Sequence, residues 1–179
     1  MSVRAAVLSS VLGLVSVLAL RTAHAEDPNS VFAGKIVMSD KKFPTSAKSP
    51  SAYVAAIRKQ AKSDFREDKE SHAWKIYFEG FLKAPLNDLE YMVKVYELTG
   101  KGQQLLVSFE QYTNERGEKT INSNMTLEKK QVGVNKDLLI TMETKGKVLA
   151  SARFKILGEG EKFTGKVNFA DDDKSDDGN

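Results

Sequence analysis

Cysteine is absent from the 179 residues. That excludes disulfides, thiolate metal sites, a thiol nucleophile and a lipid anchor on an N-terminal cysteine. Imidazole is nearly as scarce, with His24 and His72 the two histidines of the chain. A zinc site draws on several His or Cys ligands, so neither a metal nor a cofactor is expected. No G-x-S-x-G elbow presents a serine and no G-x-x-x-x-G-K-[ST] loop cradles phosphate; Gly100 and Gly102 lack the rest of a dinucleotide fingerprint. A Ser-His-Asp triad would have to use His72, which sits in the polar run REDKESH and reads as a solvated surface histidine.

A bilayer-spanning run is missing as well. Spanning takes about 20 predominantly apolar residues; the run at 5–20 is shorter, holds three serines and stops at Arg21. With Arg4 before it and Ala23-His24-Ala25 after it, the segment has the layout of a secretory signal peptide cleaved after Ala25. The expected organisation is a signal peptide at 1–25, one domain at 26–170 and an acidic tail at 171–179, with a periplasmic or secreted location. The tail's DKSDDGN begins like a calcium loop, D-x-S-x-D-G, but breaks off before the bidentate Glu that such a loop needs at its twelfth position. A solvated, disordered acidic tail is the expectation there.

What is present is alternation. HAWKIYFEGFLK (72–83) sets Trp74, Ile76, Phe78 and Leu82 on one face and Lys75, Tyr77, Glu79, Phe81 and Lys83 on the other. LEYMVKVYEL, QQLLVSFEQY, TINSNMTLE, DLLITMET, VLASARFKIL and FTGKVNF alternate likewise, separated by Pro85-Leu-Asn-Asp88, Gly100–Gly102, Asn114–Gly117 and Lys145-Gly146-Lys147. With SVFAGKIVMS near the front, eight strands are expected, mostly β and antiparallel. The hairpin KDLLITMETKGKVLASARFKI resembles the last two strands of immunoglobulin-like sandwiches in exported bacterial proteins. That resemblance implies a β-sandwich and nothing about activity. The five-residue likeness of Phe32-Ala-Gly-Lys-Ile to Phe163-Thr-Gly-Lys-Val is too short for a structural repeat. Asn124-Met-Thr126 is a glycosylation sequon, relevant in a eukaryotic secretory pathway alone.

One helix is expected, at about 50–65, with Ser49 as N-cap and Pro50 in its first turn. Tyr53, Val54, Ile57, Ala61 and Phe65 form its apolar stripe, to be packed on a sheet, and Arg58, Lys59, Lys62 and Arg66 lie opposite. If the strands 72–83 and 89–98 pair, Tyr77, Phe81, Met92 and Tyr96 form an aromatic platform that this stripe would cover.

Residues 35–75 carry ten Lys/Arg against five Asp/Glu, which accounts for the basic bias of the body. Lys41, Lys42, Lys48, Arg58, Lys59, Lys62 and Arg66 are therefore the candidate binding residues, for an acidic protein or an anionic envelope component. Nucleic acid is not expected as a partner. The leading functional expectation is an exported, non-catalytic binding or structural module. Two alternatives stand beside it: a β-barrel carrier of a small apolar ligand, and a carbohydrate-active enzyme using two of the strand carboxylates Glu79, Glu90, Glu97 and Glu110.

Overall fold

The computed structural model describes residues 27–159. The segment expected to be a signal peptide, the strand expected at 163–169 and the tail expected to be disordered lie outside the described residues. In chain order the elements are α1 (Pro28–Val31), β1 (Lys35–Ser39), α2 (Pro50–Gln60), β2 (Asp64–Arg66), β3 (Ala73–Leu86), β4 (Glu90–Thr99), β5 (Gly102–Tyr112), β6 (Glu118–Glu128), α3 (Lys129–Val132), β7 (Lys136–Thr144) and β8 (Lys147–Leu157).

The eight strands form one sheet in the order β5-β4-β7-β8-β1-β3-β6, with β2 also paired to β8. The sheet is mixed, because β1 and β2 both run parallel to β8 and share its free side. Between them the chain leaves the sheet, forms α2 and returns. The expected two-layer sandwich is thus replaced by a single curled sheet, a half-barrel. Its inner face carries Trp74, Ile76, Phe78 and Leu82 from β3 against Val93, Val95, Leu138, Ile140, Met142, Phe154 and Ile156. The side chains assigned to one face from alternation are therefore the core residues. A Cβ added at Gly80 would lie 2.2 Å from the Met142 sulfur. The sheet folds so closely on itself that β3 has no room there for a side chain, and this closeness substitutes for a second layer.

The curl also draws the two sheet edges together. Ser123 Oγ on β6 donates to Gln111 Oε1 on β5 at 2.8 Å, and the buried Tyr91 hydroxyl donates to the same oxygen at 2.7 Å. Neither edge makes a backbone ladder to the other, so the barrel stays half closed. The β7–β8 hairpin forms as its Lys145-Gly146 turn predicts. Both residues adopt positive φ, 49° and 77°, which matches the right-handed twist of the flanking strands.

The helix α2 begins as expected: Ser49 Oγ accepts from Ala52 N at 3.2 Å and Pro50 occupies the first turn. It ends five residues early. Ala61 turns to extended backbone (ψ 132°), and Phe65 lies on β2, buried in the inner core with its ring at 6.0 Å and edge-on to Phe154. A ladder to β8 was available to residues 64–66, and it outcompetes a further turn of helix. The buried side of α2, Val54 and Ile57, packs with Phe32, Phe43 and Phe81 as a second, smaller core on the outer face of the sheet. Fully burying side chains of this kind contributes about 1.5–3 kcal/mol each.

Candidate functional site

All seven predicted cations are exposed. Lys41, Lys42 and Lys48 lie on the loop pinned by buried Phe43, and Arg58 and Lys59 occupy the last turn of α2, where positive charge complements the helix dipole. The Arg58 guanidinium stacks 5.9 Å from the centre of the Phe32 ring. Lys62, just past the helix, pairs with Asp40. Arg66 does not join this group. It lines a groove of about 570 Å³ together with Glu67, Lys69, His72, Lys129, Asn135 and Leu157–Glu159, and none of the other six cations is in its walls.

The expected aromatic platform is divided. β3 pairs with β1 and β6, while β4 pairs with β5 and β7, so Tyr77 and Phe81 are not neighbours of Met92 and Tyr96. Pairing partners depend on contacts far apart in the chain, and a short connection between β3 and β4 does not force a hairpin. Phe81 is covered by α2 and fully buried, and Tyr77 is half-buried with the Lys75 ammonium 5.6 Å from its ring. Met92 and Tyr96 are half-buried on the part of the outer face that no described helix covers.

The four strand carboxylates also part company. Glu79 is 1% exposed beneath α2, where the Tyr53 hydroxyl donates to its Oε1 at 2.5 Å and its Oε2 has no partner. Burial pushes the Glu79 carboxyl up, offset in part by that hydrogen bond, and burial together with Glu79 pushes the Tyr53 hydroxyl up. Glu97 is paired with Lys136 at 2.6 Å. Glu90 and Glu110 are diagonal neighbours on the exposed outer side of β4 and β5, and the charge of Glu110 raises Glu90 above the usual carboxylate range. The Tyr112 hydroxyl donates to Glu110.

Two features escaped the sequence reading. The first is Glu143, 6% exposed on β7. It accepts from Lys94 Nζ at 2.7 Å, Thr141 Oγ1 at 2.7 Å and the Tyr96 hydroxyl at 3.3 Å. Burial opposes its charge, yet these donors hold it below the ordinary range. The second is the cluster in the groove. Glu67, its side chain 7% exposed, accepts from His72 Nδ1 at 3.0 Å and from the backbone N–H of Glu159 at 3.2 Å, with the Lys129 ammonium 3.3 Å away. The His72 hydrogen bond holds Glu67 low against the effect of burial, and Lys129 adds to it. His72 is indeed on the surface, with 68% of its side chain exposed, but it is held by a carboxylate rather than merely solvated. Among the described residues no three His, Cys, Asp or Glu side chains converge as metal ligands, and no helix is long and apolar enough to cross a membrane.

The chain matches no known protein family, and no curated protein matches it in sequence.

Proposed function

We propose that the protein is an exported, non-catalytic binding module of the cell envelope, and that it contacts an acidic protein or anionic envelope component through α2 and the loop before it. The observation that carries this reading is the exposed set Lys41, Lys42, Lys48, Arg58 and Lys59 on a helix and loop whose undersides are fixed by Ile57, Val54, Phe43 and Phe81. A rigid support lets clustered cations meet a partner without first losing conformational freedom. The signal-like segment at 1–25 supports the location. An apolar carrier would need interior space, which Trp74, Phe78 and Phe154 occupy. A carbohydrate-active enzyme would use a carboxylate pair such as Glu90 and Glu110, but both are exposed, and Glu110 lies outside the groove of about 410 Å³ that Glu90 lines.

The test is retention of the protein on native envelope extracts at rising salt. Reversal of charge at Arg58, Lys59 and Lys62 to Glu should lower retention by about tenfold or more and flatten its salt dependence. Retention unchanged by the triple reversal would overturn the reading.

A further inference from the structure

The groove where β8 ends is built more carefully than a surface crevice requires. Its base is Glu67, and three chain segments converge on that carboxylate: His72 from the turn before β3, Lys129 from the start of α3, and the backbone N–H of Glu159 beyond β8. Gly158 passes so close that a Cβ there would lie 2.3 Å from Glu67 Oε2. Its own N–H donates to Asn135 Oδ1 at 3.2 Å, and Trp74 Nε1 donates to the Leu157 carbonyl at 3.1 Å. His72 and Asn135 adopt positive φ, 50° and 55°, and they are two of the three non-glycine residues that do so among those described. Backbone held in such conformations concentrates at sites of function.

The polar groups that remain available in the groove are two cations and one imidazole nitrogen, beside the exposed Glu159 carboxylate. The Arg66 guanidinium makes no bond to any described residue. Among the described residues Lys69 is tied only to Glu159, in a pair whose side chains are 84% and 72% exposed. Such pairs hold weakly against a competing anion. His72 gives Nδ1 to Glu67, which leaves Nε2 unengaged. In the neutral ring that nitrogen accepts a hydrogen bond, so it can take one from a hydroxyl.

We propose that this groove binds an anionic group, carboxylate or phosphate, borne next to a hydroxyl, as on an acidic saccharide or a polyol phosphate. Arg66 and Lys69 take the anion and His72 Nε2 takes the hydroxyl, with Glu67 as the positioning residue that fixes the imidazole. This rests on the reading of the protein as a binder of anionic envelope material, and gives that material a chemical class and a second contact point away from α2.

The test is titration of the mature chain with glucuronate, glycerol phosphate and neutral glucose at matched ionic strength, read by the His72 imidazole NMR signals together with the backbone amide signals of Glu67, Lys69 and Gly158 in the groove walls. The His72 signals should move with glucuronate or glycerol phosphate, and the stronger of the two identifies carboxylate or phosphate. Glucose should leave them in place. Arg66→Gln should weaken the response about tenfold, the loss of one charge-assisted hydrogen bond. His72→Asn, which tolerates the left-handed backbone and is followed by the groove's amide signals, should weaken binding to the hydroxylated anion while sparing binding of acetate or inorganic phosphate. A response no larger than that to sodium chloride, or one that Arg66→Gln leaves intact, would overturn the proposal. If the anions bind in the groove while reversal on α2 leaves envelope retention unchanged, the groove stands and the helix reading fails. The opposite pattern sinks the groove alone.

Discussion

Glu79 and Glu143 stand on the same outer face of one sheet, on β3 and β7, and both are almost wholly withdrawn from water. They solve the cost of a buried carboxylate in opposite ways. On the half of the sheet that α2 covers, Glu79 has one hydroxyl donor and no cation, and burial drives it toward its neutral form. On the other half, among the described residues, Glu143 is bonded by neighbours on β4 and β7, one of which is an ammonium, and it is held ionised. Burial of a charge is costly unless it is paired and hydrogen-bonded, so apolar cover favours the proton where a lysine favours the charge. The covered half is thereby suited to a fixed platform, and the other half remains a polar surface.

Removing the cover should erase the contrast, and has the largest expected effect. Ile57 is fully buried between α2 and the sheet, and Ile57→Ala should cost about 2–5 kcal/mol by chemical denaturation. Water reaching Glu79 should at the same time weaken the pH dependence that this carboxyl imposes. A loss below about 0.5 kcal/mol would mean that α2 is not held by its apolar side.

The next effect in size isolates Glu79. Its folded value is raised, so its stabilisation is complete below the ordinary carboxylate value of 4.5 and is lost as the pH rises through the raised value. Glu79→Gln cannot ionise and should flatten this alkaline decline. Between about pH 4 and pH 8 the variant should gain on the order of 1 kcal/mol relative to the parent. Parallel pH profiles for the two proteins would show that Glu79 is charged in the folded state as it stands.

The inner face was legible in the sequence because strand side chains alternate and the large apolar residues keep one parity through β3, β4, β7 and β8. The outer face was legible where a single helix stripe met a single strand, as Val54 and Ile57 meet Phe81. Strand order was not. Whether β3 turns back on β4 or pairs with β6 is settled by closing the sheet over Gly80 and Met142, which lie more than sixty residues apart. The end of α2 was hidden for a related reason, since Phe65 fits a helical stripe and a β-ladder equally well, and β8 decides between them. The Glu67–His72 pair leaves a trace in REDKESH, a carboxylate five residues before an imidazole across a turn. Lys129 completes it from a distant strand end, and no local pattern announces that.

The smallest effect tests the other half. Glu143 is held low, so its contribution is present above the unfolded carboxylate value of 4.5 and disappears as the pH falls through its lower folded value, the reverse of Glu79. Glu143→Gln keeps the shape and the oxygen that Thr141 and Tyr96 use, and replaces the oxygen that accepts from Lys94 by an amide NH2, so it loses the charge and the Lys94 hydrogen bond together. Because Lys94 is partly open to water, the expected destabilisation at neutral pH is less than about 1 kcal/mol. It should shrink further at high salt, which screens an ammonium–carboxylate pair and leaves neutral hydrogen bonds alone. The change in Glu79→Gln should be insensitive to salt, since no described cation faces that carboxyl. If both variants responded to salt alike, the division of the outer face into a half governed by cover and a half governed by charge pairing would not hold.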